Sequence, residues 1–250
     1  MTHPIRIGIG GWNYEPWEET FYPDDLAKKR QLEYASRQLT AIEINSTFYR
    51  NQKPHVFENW AEQTPDGFKF TVKAQRFTTS RKTADDMKEA VDWFISGGVT
   101  KLGDRLGAIN WQFPESRTFD PDYFSAFLSA LPQEQDGLGL RHAIEVRNDT
   151  FKTEEFTDML RGHGCALVYS DAEDWPMPDV ETADFAYARL QDSRETYKAG
   201  YAPSALDEWA DTLKDWAKSR EVYAFFISGA KARDPLAALE LIKRTGRPDD

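Results

Sequence analysis

Eight short runs of β-branched and aromatic residues punctuate the chain, at residues 5–10, 41–45, 68–73, 107–112, 143–147, 165–170, 185–190 and 222–228. Each has the length and composition of a strand. Helical periodicity fills most of the gaps. Leu26, Leu32, Ala35 and Leu39 share one helix face before the second strand, and Met87, Val91, Phe94 and Ile95 do so before the fourth, with Gly97-Gly98 as the stop. Asp120-Pro121 reads as an N-cap followed by proline at the first helical position, ahead of the apolar Phe124, Phe127, Leu128 and Leu131. Thr153 caps the next helix, Leu206, Trp209, Leu213 and Trp216 mark another, and Asp234-Pro235 opens the last. Regular alternation of strand and helix predicts a parallel sheet with right-handed crossovers. Eight repeats in 250 residues predict a closed (β/α)8 TIM barrel, one α/β domain spanning 1–250. Residues 171–184 carry Pro176 and Pro178 and no helical period, so the sixth crossover should lack a helix or hold a very short one.

Side chains alternate across a strand, and in a barrel one set faces the axis. The second strand reads Ala41-Ile42-Glu43-Ile44-Asn45 and the fifth Ala143-Ile144-Glu145-Val146-Arg147. With Ile42, Ile44, Ile144 and Val146 turned to the helices, Glu43, Asn45, Glu145 and Arg147 point inward. Lys73 and Gln112 end the third and fourth strands, Asp171 follows the sixth, and Arg189 lies near the end of the seventh. All sit at C-terminal strand ends, where barrel enzymes build their sites. Trp12 and Tyr49 follow the first two strands and offer rings for stacking.

Composition narrows the functional classes. With 40% hydrophobic and 29% charged residues, and no run near the ~20 apolar residues of a membrane span, the chain reads as soluble. Its start lacks signal-peptide features, and the single Cys165 permits no intrachain disulfide, so a cytoplasmic location is expected. Cys165 opens an apolar run and reads as a buried thiol. The net charge of −11, without a basic block, speaks against nucleic acid as partner. None of the four histidines (His3, His55, His142, His163) ends a strand or pairs at ligand spacing, which argues against a histidine-rich zinc site and a Ser-His-Asp triad. A magnesium site of Glu43, Glu145 and Asp171 fits by ligand type, but the neighbouring cations oppose it. Gly8-Ile9-Gly10-Gly11-Trp12 lacks the spacing of a dinucleotide fingerprint or P-loop. No metal and no cofactor is expected, and the oligomeric state is left open.

Several words together carry a family resemblance: Gly8-Ile9-Gly10-Gly11-Trp12, Phe21-Tyr22-Pro23, Glu43-Ile44-Asn45-Ser46-Thr47-Phe48-Tyr49, Trp60 with Thr64-Pro65, Phe70 with Lys73, Gln112-Phe113-Pro114, Glu145-Val146-Arg147, Arg189-Leu190, and Tyr197 with Gly200-Tyr201. Over nearly its whole length the chain resembles the YecE-like family, catalogued as domain of unknown function 72. The resemblance implies a TIM barrel and, as site residues without assigned roles, Glu43, Asn45, Lys73, Gln112, Glu145, Arg147 and Arg189. It implies no particular reaction. Two departures stand out: Gln191-Asp192 where many members carry His-Gly, and Ile227-Ser228 where many carry an Asn pair after the last Phe.

The residues themselves suggest acid/base chemistry by Glu43 and Glu145, on a small anionic or polyhydroxylated metabolite held by Lys73, Arg147 and Arg189. Two other readings use the same residues. One is a non-catalytic barrel that binds a nucleotide or a nucleic-acid end. The other is an ion network that merely locks the barrel, since buried charges are costly unless paired.

Overall fold

The computed structural model describes residues 2–172, 179–227 and 229–248. Eight parallel strands close a barrel: β1 (Ile5–Gly10), β2 (Ala41–Ile44), β3 (Lys69–Lys73), β4 (Leu106–Gln112), β5 (His142–Glu145), β6 (Ala166–Ser170), β7 (Phe185–Leu190) and β8 (Glu221–Phe226). Pairing of β1 with both β2 and β8 completes the circuit. The outer layer is formed by α1 (Gln31–Gln38), α2 (Pro54–Glu62), α3 (Ala84–Ser96), α4 (Pro121–Ala130), α5 (Glu154–Gly162), α6 (Pro203–Trp216) and α7 (Asp234–Thr245). A two-residue hairpin, Glu134–Gln135 with Leu138–Gly139, is inserted before β5.

The expected caps act as such. Asp120 and Thr153 accept from the backbone N–H groups of Tyr123 and Phe156, and Thr83 accepts from Asp86. Gly98, at φ 104°, terminates α3 in a conformation that a side chain disfavours. The helix before β2 is shorter than its periodicity suggests. Leu26 lies ahead of a 3-10 turn (Lys28–Arg30), and Leu39 is the C-cap, yet both pack on the core. Between β6 and β7 no helix occurs among the described residues. Pro176 and Pro178, on which that expectation partly rested, lie outside the described residues.

Inside the barrel, small and large side chains fit each other. Ala41, Ala108, Ala143 and Ala166 from β2, β4, β5 and β6 meet Phe185 and Tyr187 of β7 and Tyr223 and Phe225 of β8. Rings contributed by two neighbouring strands thus fill a lumen that alanines on the others leave open. Below them, at the N-terminal strand ends, Glu221 pairs with Arg6 (2.6 Å) and Arg141 (2.8 Å). Both arginines also donate to backbone carbonyls, of Gly67 and Gly107 respectively.

The β1–β2 contact leaves no room for a side chain at Gly8. A Cβ added to Gly8 would lie 1.8 Å from the Ala41 carbonyl oxygen. Gly8→Ala is therefore expected to destabilise the fold by ~2 kcal/mol or more, read by chemical denaturation, because backbone must move to admit the methyl. An unchanged denaturation midpoint would contradict this register.

Candidate functional site

β2, β4, β5 and β7 deliver Glu43, Asn110, Glu145 and Arg189 to a single buried cluster at the C-terminal half of the barrel. Glu43 is 0% exposed, Glu145 2%, Asn110 0% and Arg189 2%. Arg189 bridges the two carboxylates, donating from Nη2 to Glu43 Oε1 (3.1 Å) and from Nη1 to both Glu145 oxygens (2.9 Å each). Arg147 donates twice to Glu145 Oε1, from Nε (3.0 Å) and Nη2 (2.7 Å). Tyr187 donates its hydroxyl to Glu43 Oε2 (2.6 Å), with Thr71 on its other side (2.8 Å). Asn110 Nδ2 reaches Glu145 Oε2 at 3.1 Å and Glu43 Oε2 at 3.5 Å.

The alternation argument thus places Glu43, Glu145, Arg147 and Arg189 together, although β2 ends at Ile44 and β5 at Glu145, each short of the run that predicted it. Asn110 and Tyr187 were not singled out from the sequence. Each lies two residues before a selected inward residue, Gln112 and Arg189, so the same period-two rule taken one rung deeper finds them.

Lys73 closes the upper side of the cluster. It is 8% exposed, and its Nζ lies 4.2 Å from the centre of the Phe48 ring. Among the described residues, no carboxylate lies in ion-pair reach of this ammonium and no oxygen accepts from it. Burial, aided by the positive charges of Arg189 and Arg147 and opposed by Glu145 and Glu43, lowers its pKa to about 8. Glu145 moves the other way. Burial alone would raise its carboxyl, but Arg189, Arg147 and Lys73 together overcome that and hold it at about 2. Burial and the Glu43 charge push the Tyr187 phenol far above its ordinary range, so it remains a donor.

The other expected site residues fall in three places. Trp12, Asn45 and Tyr49 line a cleft of about 210 Å³ with Gly10, Tyr14, Ser46 and Lys231. A Cβ at Gly10 would stand 2.6 Å from Asn45 Nδ2, so a side chain there would displace the Asn45 amide. Trp12 packs edge-on to Trp60, and Tyr49 is 76% exposed. The pairing Ile44↔Val72 makes Asn45 and Lys73 successors on adjacent strands, so the cleft and the ion cluster adjoin. Gln112 ends β4 with its Oε1 buried and, among the described residues, without a donor. Asp171 has a different engagement: it accepts from the backbone of Gln191 and Asp192 and from the Tyr201 hydroxyl (2.8 Å), tying down the segment after β7. No group of three His, Cys, Asp or Glu side chains among the described residues is arranged to hold a metal ion.

Two mutational effects of opposite sign follow. Glu145→Gln or Glu43→Gln leaves buried cations short of a partner and should cost ~3–5 kcal/mol. For Glu145, whose folded pKa lies below its free value, the stabilisation is present above pH ~4.5 and is lost as pH falls towards 2, so the Gln variant should also lose that acid dependence. Lys73 has a folded pKa below its free value. The unfolded chain therefore holds the extra proton between pH 8 and ~10.4, and stability rises with pH across that window. Lys73→Met should melt higher than the parent at pH 7 and lose that advantage by pH ~10.4. Thermal unfolding across pH checks both; equal effects of the carboxylate and lysine variants would contradict the assignment.

A sequence profile described as "Protein of unknown function DUF72" matches residues 6–250. The chain is 31% identical over 163 residues to the UPF0759 protein YecE of Escherichia coli (strain K12), covering 63% of this chain and 54% of that protein. It is 29% identical over 176 residues to the UPF0759 protein YunF of Bacillus subtilis (strain 168), covering 68% and 58%. These matches span little more than half the length of those relatives. A crystal structure of a DUF72 family protein from Thermotoga maritima superimposes with TM-score 0.79 at 24% identity, covering 96% of this chain and 98% of that one, a likeness of fold. On the strength of the profile match along almost its entire length, the chain belongs to the DUF72 family.

Proposed function

We propose that the barrel mouth binds a small anionic or polyhydroxylated metabolite and transforms it by metal-independent acid/base chemistry, with Lys73 as the group that takes up and releases the proton. The observation that carries this reading is the buried Lys73 ammonium, which has no acidic partner within ion-pair reach among the described residues. A charge in such a place is costly unless something completes its shell, and an anionic or hydroxyl oxygen would do so. A pKa of about 8 lets the amine exchange protons near neutral pH, where acid/base catalysts work best.

In this reading Glu43 and Glu145, the pair that alternation marks as acid and base, serve as fixed anions. Glu145, at about 2, stays ionised and cannot donate at neutral pH. The Glu43 oxygens accept from Tyr187, Arg189 and Asn110. The two carboxylates hold Arg189 and Arg147, and burial together with those cations keeps the Lys73 proton loose. Trp12, Asn45 and Tyr49 supply the wall and polar edge for the rest of the ligand.

The test uses inorganic phosphate as the simplest anion, titrated calorimetrically. Binding should weaken as pH rises through about 8, because the ammonium loses its charge there, and Lys73→Met should lower affinity ~10-fold or more at pH 7. When a substrate is in hand, the same variant should reduce kcat/KM by ~100-fold, the scale of losing a general acid or base. Parent-like phosphate affinity in Lys73→Met would sink the proposal.

A further inference from the structure

Two buried acceptors on β4, the strand next to Lys73, narrow the chemistry further. The strand register pairs Lys73 with Asn110. Asn110 turns its amide NH2 towards Glu145 and Glu43, which can only accept. Its Oδ1 is thereby directed away from them, and it is buried with no donor among the described residues. Gln112, one inward position further along β4, likewise has a buried Oε1 without a donor. Buried carbonyl oxygens are rarely left so. They require hydroxyl or N–H hydrogens, beside an amine shielded from water, stacked on Phe48 and flanked by Arg189.

We propose that Lys73 is an imine-forming nucleophile and that its substrate is a small hydroxylated or anionic carbonyl compound, whose hydrogen-bond donors satisfy Asn110 Oδ1 and Gln112 Oε1. This rests on the preceding reading for the location of the site, and assigns Lys73 a covalent step in addition to proton transfer. The unprotonated Nζ attacks the carbonyl carbon, forming a C–N bond while the C=O electron pair moves to oxygen. The two amine hydrogens leave with that oxygen as water, the second C–N bond forms, and the imine nitrogen takes a proton from solvent. No oxidant, reductant or metal enters the balance. Desolvation and a neighbouring cation are what free a lysine amine for such attack near neutral pH, and both are present here: the side chain is 8% exposed and lies in the field of Arg189 and Arg147. The carboxylates cannot take this role, since they are committed to Arg189.

The experiment is reductive trapping. The full chain is incubated at pH 7 with glyoxylate or D-glyceraldehyde and cyanoborohydride, and modified lysines are located by peptide mass mapping. Lys73 should be modified roughly tenfold faster than exposed lysines such as Lys28 or Lys218, which are held by surface carboxylates. Lys73→Arg should lose the fast adduct, because a guanidinium stays protonated and does not condense with the carbonyl at pH 7. Modification spread over exposed lysines with Lys73 untouched overturns the proposal, and does so on the parent protein whether or not a variant folds. The two readings fail separately. Phosphate binding without a Lys73 adduct removes the imine and leaves anion binding. A Lys73 adduct without phosphate binding supports the imine and removes the anionic class in favour of the hydroxylated one.

Discussion

Arg189 is shared between two carboxylates that water does not reach, and the chemistry of the barrel mouth is set by that sharing. A guanidinium offers five donors in a rigid plane, so it can face Glu43 with one nitrogen and Glu145 with another. Glu43 comes from β2 and Glu145 from β5, strands on well-separated parts of the wall. Arg189 therefore works as a tie across the lumen as well as a counter-charge. Deleting any one of the three charges leaves the others buried and unbalanced, which costs far more than a surface pair would. Tyr187 and Asn110 complete the shell of the carboxylates with neutral donors and leave the charge balance to the cations.

The two ends of the lumen make the functional argument sharper than either end alone. At the N-terminal end, Glu221 also stands among cations, Arg6 and Arg141, with Lys69 nearby. There the positive groups find backbone acceptors: the carbonyls of Gly67, Gly107 and Asp104. At the C-terminal end Lys73 has a ring beneath it, and the Asn110 and Gln112 amide oxygens are buried without a donor among the described residues. An excess of cations is thus common to both ends of the lumen, whereas buried amide oxygens of this kind occur where the barrel loops gather.

Much of this was legible in the chain because the barrel imposes period two on every strand. Ile42 and Ile44, or Ile144 and Val146, can face only the helices, so Glu43 and Glu145 had to face the axis; the eight-strand barrel itself followed from the strand–helix alternation. What could not be read was the partnership. Which carboxylate shares which arginine depends on the stagger of strands that are distant in sequence. The period also says nothing beyond a strand's end. Asp171 sits one residue past β6 and is drawn to the segment after β7 by Gln191, Asp192 and Tyr201. Gln191 donates to Ser170 Oγ at 2.8 Å and so ties the end of β7 to β6.

A buried lysine with its pKa brought down near 8 destabilises the fold at neutral pH, and packing alone would favour an apolar residue there. The surrounding structure is what makes the placement tolerable. Thr47 bonds to both the Ile44 and Lys73 carbonyls, which fixes the short Ser46–Tyr49 turn over the end of β3 and sets Phe48 beneath the ammonium. The same turn carries Tyr49 to the rim, and Asn45 at its start edges the aromatic cleft. One four-residue turn, tied to β3 by a buried hydroxyl, therefore fixes the surroundings of the Lys73 ammonium and one wall of the adjoining cleft. Rigid support of this kind lets a strained charge keep a defined geometry instead of relaxing towards solvent. It also explains why the word Glu43-Ile44-Asn45-Ser46-Thr47-Phe48-Tyr49 acts as one unit: its successive residues supply the tie to Arg189, the outer packing, the cleft edge, the latch and the ring.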